Sequence, residues 1–123
     1  MNIVVFFSGT GTNLQSILQN EEKLNYKVIS TFTNNPDASG IDISKNFNVD
    51  CKILDHKKFD SREKFDEEIN VYLQKLNPDY VILAGYMRIL SNFLVEKWKQ
   101  KIINIHPSLC LLYTSDAADD SLR

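Results

Sequence analysis

The sequence predicts an α/β fold, a mostly parallel sheet with flanking helices. Three observations carry that reading. Apolar runs of strand length recur along the chain, the clearest being Ile3-Val4-Val5-Phe6-Phe7 and Tyr80-Val81-Ile82-Leu83-Ala84. Between them lie segments whose apolar residues repeat at helical spacing. The runs lack the in–out alternation of a half-exposed strand, so they suit strands covered on both faces. Strand, helix and strand in succession imply βαβ units with right-handed crossovers.

The elements follow in order. Residues 3–7 form the first strand, and Ser8-Gly9-Thr10-Gly11-Thr12-Asn13 turns out of it. Leu14, Ile17 and Leu18 then mark a helix. A second strand spans Lys27 to Thr33 and is broken by Asn34-Asn35-Pro36-Asp37. Ile43 and Phe47 suggest a short helix, and Cys51-Lys52-Ile53-Leu54 a third strand. Asp60 stands as an N-cap acid with Glu63 three residues on, a capping-box pattern. Phe65, Ile69, Tyr72, Leu73 and Leu76 continue that helix until Asn77-Pro78, because the residue before proline avoids helical geometry. Tyr80 to Ala84 is the next strand, closed by Gly85. Ser91 caps a short helix reaching about Trp98, and Ile102 to Ile105 is one more strand.

Composition narrows the class. With 123 residues, one domain is the default, and 43% hydrophobic residues suffice for a core. A net charge of −2 with scattered lysines argues against nucleic-acid binding. There is no signal-peptide pattern and no apolar run of membrane-spanning length, so a cytoplasmic protein without a membrane partner is expected. Cys51 and Cys110 lack metal-type spacing and are expected as reduced thiols, with no metal site. Nothing in the sequence sets the oligomeric state.

Two motifs carry chemistry. A glycine loop between a parallel strand and its helix lies at the carboxyl edge of the sheet, where ligands bind. Gly9 and Gly11 allow a sharp turn, and the helix N-terminus favours an anion. Leu14 stands where the dinucleotide fingerprint needs a third glycine, and the P-loop lysine is missing. The loop therefore suits a monophosphate, or else it is a plain helix cap. The second motif is Asn104-Ile105-His106-Pro107-Ser108. Strand alternation puts Asn104 and His106 on one face, where an amide could bind an oxyanion and an imidazole relay a proton. The alternative is a buried histidine satisfied by a carbonyl. Arg88 could meet an anionic group or form a surface salt bridge, and His56, beside Lys57 and Lys58, reads as a surface loop residue.

Four segments together resemble the phosphoribosylglycinamide formyltransferase family. They are Ser8 to Gln15, Asp60-Ser61-Arg62, Leu83 to Leu90, and Asn104 to Leu109. The resemblance implies a Rossmann-like formyltransferase fold and formyl transfer from 10-formyltetrahydrofolate, the cosubstrate, to glycinamide ribonucleotide in purine biosynthesis. It implies that Gly11, Thr12 and Asn13 hold the ribonucleotide phosphate. Arg62, Met87, Arg88, Ile89 and Leu90 would contact the folate. Asn104 would bind the formyl oxygen, and His106 would act as acid and base. Methionyl-tRNA formyltransferases and formyl-folate hydrolases share the Asn-x-His-x-Ser core, and the Ser8–Gln15 loop favours the ribonucleotide enzyme over them. A non-catalytic sugar-phosphate-binding module is a further alternative.

The resemblance covers residues 1–109, read as the N-terminal part of a formyltransferase domain. Residues 110–123 depart from the family and read as a disordered or artefactual tail. The family's later aspartate and later strands have no match. The expectation is thus a fold incomplete at its C-terminus and a chain inactive as it stands.

Overall fold

Each apolar run becomes a strand because helices cover it from both sides. The computed structural model describes residues 1–105; His106 and the segment 110–123 lie outside the described residues. Five strands form one sheet: β1 (Asn2–Phe7), β2 (Lys27–Thr33), β3 (Cys51–Ile53), β4 (Tyr80–Ala84) and β5 (Ile102–Ile105). Their spatial order is β3-β2-β1-β4-β5, and every neighbouring pair is parallel. The expected mostly parallel sheet is wholly parallel among the described residues.

The pleat of β1 explains its unbroken apolarity. Val4 and Phe6 point into one core, with Phe32, Phe65, Ile69, Leu73, Leu94 and Trp98. Ile3, Val5 and Phe7 point into the other, with Leu14, Leu18, Val28, Ile82 and Ala84. Burying a side chain of this size stabilises the fold by roughly 1.5–3 kcal/mol. Helices α1 (Thr12–Gln19) and α3 (Gly40–Asn46) cover the second core; α4 (Arg62–Leu76) and α5 (Asn92–Lys97) cover the first. The short α2 (Glu21–Leu24) links α1 to β2, and a 3-10 turn at His56–Lys58 leads to α4.

Helix ends follow local chemistry, with two corrections. The cap of α4 is Ser61, whose hydroxyl accepts the Lys64 N–H at 3.1 Å. Asp60, expected in that role, lies one residue outside and pairs with Lys64 at 3.6 Å. Lys64 rather than Glu63 stands three residues from the cap, so there is no capping box. Asn77 ends α4 in the left-handed conformation with φ 48°, just before Pro78. Ser91 caps α5 as expected, accepting the Leu94 N–H at 3.3 Å. Phe47, expected on a helix face, ends α3 as its C-cap and is exposed.

The strand order positions the site. From β1 the chain builds outward to β2 and β3, then returns to the other side of β1 for β4 and β5. The loops after β1 and β4 therefore leave in opposite directions and open a crevice between them.

Candidate functional site

That crevice is a cleft of about 200 Å³, lined by residues 8–13 of the glycine loop and by Ala84, Gly85 and Met87. Its first wall depends on close backbone packing. Gly11 is the N-cap of α1 at φ 77°, a conformation that penalises a Cβ. A Cβ there would also sit 2.8 Å from the Gly40 Cα at the start of α3. The Gly40 N–H in turn donates to the Gly9 carbonyl at 3.2 Å. Among the described residues no side chain caps α1, so its first-turn N–H groups remain available to an anion. The Thr10 and Thr12 hydroxyls lie 3.2 Å apart at the same end.

The second wall is the segment after β4. Met87 and Ile89 are exposed, at 81% and 55%, while Leu90 is buried and anchors the segment to the core. Arg88 is half-buried, its guanidinium 5.1 Å from the centre of the Phe65 ring. This is the stacking geometry of a cation on an aromatic face, not the surface salt bridge weighed from sequence. Arg88 Nε and the Tyr86 hydroxyl are buried without a hydrogen-bond partner among the described residues. Burial pushes the Tyr86 phenol far above its ordinary range.

Below this segment lies Asp66, 2% exposed, whose Oδ2 accepts the Ser91 N–H at 2.6 Å. Burial raises its carboxyl above the ordinary value; the Ser91 hydrogen bonds and the Arg88 and Arg62 charges oppose that rise. Arg62 itself is exposed in the first turn of α4.

The sequence-derived residues thus distribute as follows. Gly11, Thr12, Asn13 and Met87 meet at the cleft. Arg88 and Arg62 meet electrostatically around Asp66. Asn104 is half-buried on β5, opposite Leu83 of β4, near the same carboxyl edge of the sheet. His106 lies outside the described residues.

Gly40 and Asp66 go unremarked in the sequence, and Asn34 and His56 are given other roles there. Gly40 had no motif around it. Asp66 did carry a signal, since it sits on the stripe defined by Phe65, Ile69 and Leu73. Asn34 was read only as a strand breaker, yet it is 5% exposed. His56, read as a surface residue, is half-buried; its Nδ1 lies 3.3 Å from both Asn34 Nδ2 and the Asn34 carbonyl. Its ring packs edge-on to Phe65 at 6.4 Å.

Among the described residues, no group of three or more His, Cys, Asp or Glu could hold a metal ion. None of their helices is long and apolar enough to cross a membrane. Cys51 is a free thiol, and burial raises it above the ordinary value.

Known proteins share both sequence and architecture with this chain. The formyl transferase family model matches residues 1–115. The phosphoribosylglycinamide formyltransferase of Escherichia coli is 40% identical over 115 residues, covering 92% of this chain and 54% of that protein. The human trifunctional purine biosynthetic protein adenosine-3 is 36% identical over 109 residues, covering 87% of this chain and 11% of that protein. Among solved structures, the Coxiella burnetii phosphoribosylglycinamide formyltransferase in complex with CHES superposes with a TM-score of 0.85 at 34% identity, covering 94% of this chain and 55% of that one. The chain therefore spans about half the length of the bacterial relative and a small part of the trifunctional one. With the match running along nearly the whole chain, and the same sheet found in solved relatives, the chain belongs to the formyl transferase family.

Proposed function

We propose that this chain carries the phosphate-binding and donor-lining parts of an enzyme of purine biosynthesis. The reaction is formyl transfer from 10-formyltetrahydrofolate to the amine of glycinamide ribonucleotide. The observation that supports this best is the cleft, where the glycine loop and Met87 face each other across the switch point of the sheet. One wall offers an uncapped helix start to a phosphate, and the other offers exposed apolar side chains to a flat aromatic donor. The same names recur among the relatives in sequence and in structure.

In this reading, Gly11, Thr12 and Asn13 hold the ribonucleotide phosphate. Met87 and Ile89 line the folate, held in place by Leu90 buried beneath them, with Arg88 and Arg62 beside them for its carboxylates. The buried, unpartnered Nε of Arg88 fits such a ligand, because an orphaned buried donor costs stability until it is paired. Addition of the amine to the formyl carbon builds negative charge on the formyl oxygen. Asn104 donates a hydrogen bond to that oxygen, and His106 carries the proton lost by the attacking amine to the folate N10 as the bond between N10 and the formyl carbon breaks and tetrahydrofolate leaves.

Calorimetric titration of glycinamide ribonucleotide into the chain tests the phosphate site. Saturable binding that inorganic phosphate displaces is expected, weakened about tenfold in Asn13→Ala. Absence of binding by the folded chain overturns the reading. For the transfer step, in a full-length formyltransferase that carries this segment, His106→Ala is expected to lower kcat by about 10²–10⁴-fold. Turnover that survives this change removes His106 from its role.

A further inference from the structure

We propose that Ser8 is a positioning residue that couples the phosphate loop to the donor-lining segment, so that an anion held by one is felt at the other. The inference rests on the assignment of those two walls given above. It goes beyond that assignment by naming the residue that joins them.

Ser8 is 7% exposed and directly follows β1. All of its polar groups are engaged. Its N–H donates to the Gly85 carbonyl at 3.1 Å. Its carbonyl accepts from Asn35 Nδ2 at 3.1 Å. Its hydroxyl donates to Asn34 Oδ1 at 2.6 Å and accepts the Met87 N–H at 2.8 Å. One residue therefore ties together the chain leaving β1, the chain leaving β2 and the chain leaving β4.

The directions of the hydroxyl bonds are set by chemistry. A backbone N–H can only donate and an amide oxygen can only accept, so the single hydroxyl proton goes to Asn34 and a lone pair goes to Met87. These bonds are largely withdrawn from water, so none is readily exchanged for a solvent contact. Ser8 is covalently joined to Gly9. Any adjustment of the loop around an anion therefore moves the acceptor that holds Met87. Through Asn34 the same network reaches His56. A pure filler at position 8 needs no hydroxyl, whereas a coupling residue does.

Amide hydrogen exchange and ¹⁵N spectra of the chain, titrated with inorganic phosphate, test this. In the wild type, saturating phosphate is expected to slow exchange at the Met87 amide about fivefold. The side-chain amide resonances of Asn34, which is not part of the cleft lining, should shift with the same midpoint as Gly11, Thr12 and Asn13. Ser8→Thr keeps the hydroxyl and should keep both responses. Ser8→Ala should lose both, while the Gly11–Asn13 amides still shift at saturation. Ser8→Gly, which removes the hydroxyl without adding a methyl, serves if Ser8→Ala does not fold. Coupling is overturned if Met87 and Asn34 respond in Ser8→Ala as in the wild type. It is also overturned if they stay silent in the wild type while Gly11–Asn13 shift. Silence of Gly11–Asn13 themselves would overturn the phosphate-loop reading, and the coupling with it.

Discussion

Beneath α1 and α3 the core is mostly small and aliphatic residues around the Phe7 ring; beneath α4 and α5 it is rich in aromatic rings. On the first face Gly11 and Gly40 bring backbone against backbone, and Gly40 lies against the Phe7 ring. On the second, Phe6 and Phe32 pack at a tilt of 36° with centres 4.5 Å apart, and Phe32 meets Phe65 edge-on at 6.3 Å. The second face also buries polar anchors. Asp66 holds the Ser91 N–H, Trp98 Nε1 donates to Asn70 Oδ1 at 2.9 Å, and the Tyr72 hydroxyl donates to Ser30 Oγ at 2.6 Å. The difference is mechanical. Around Gly11 and Gly40 the glycine loop after β1 is placed by the absence of side chains, whereas the segment after β4 is placed by specific polar bonds over a ring-filled core. Adding an atom should break the first, and removing one should break the second.

The largest effect is expected at the centre of the aromatic face. Phe32→Ala removes a fully buried ring that contacts four other aromatics, Phe6, Phe65, Tyr72 and Tyr86. Denaturant unfolding should show a loss of about 3–5 kcal/mol. A loss under about 1 kcal/mol would mean that this face is not a packed unit. On the aliphatic face the reverse change is the informative one. Gly40→Ala would put a Cβ 2.5 Å from the Phe7 ring, so either Phe7 or α3 must move. A destabilisation of about 1–3 kcal/mol is expected, together with weaker phosphate binding at the loop that Gly40 abuts. Unchanged stability and binding would show that the loop does not depend on this close approach.

Asp66 separates shape from charge. Asp66→Ala leaves the Ser91 N–H buried without an acceptor and should cost about 1–3 kcal/mol. Asp66→Asn keeps an acceptor oxygen and should cost much less. The pH dependence has a definite sign. Burial holds the folded carboxyl above its ordinary value of 3.8, so the folded state keeps a proton that the unfolded state has already lost. Between the ordinary and the raised value, stability therefore falls as pH rises, then levels off. Asp66→Asn should flatten that slope. A slope unchanged in the variant would assign it to another group.

The fold was more legible than the site, for a reason seen residue by residue. The bounds of β2, β4 and β5 agree with the sequence reading because polar or turn residues bracket each apolar run, and those signals are local. The site is built from distant pairs. Ser8 and Met87 are 79 positions apart, and Asn34 and His56 are 22 apart. Flanking lysines made His56 look like a surface residue, and no local pattern foretells the Asn34 contact. Gly40 was invisible for the same reason, since its constraint comes from Phe7 across the core. Asp66 shows the intermediate case, with its burial implied by helical spacing and its partner Ser91 not.

The smallest expected effect resolves the misreading of the α4 cap. Asp60 and Ser61 are both good caps by residue type, and adjacent candidates cannot be ranked by propensity. Ser61 takes the extended conformation of a cap, φ −149° and ψ 160°, and its hydroxyl accepts the Lys64 N–H. Asp60 meets Lys64 only as an exposed ion pair. Ser61→Ala should therefore cost about 1 kcal/mol of thermal or denaturant stability, the ordinary worth of a cap. Asp60→Ala should fall within the scatter of surface substitutions, about 0.5 kcal/mol either way. Because α4 carries Phe65 and Asp66 in its first turns, fraying after Ser61→Ala should also raise amide exchange at Ser91, whose acceptor is Asp66. If Asp60→Ala costs more than Ser61→Ala, the helix begins one residue earlier in solution, and the hold of Asp66 on Ser91 then needs a different anchor.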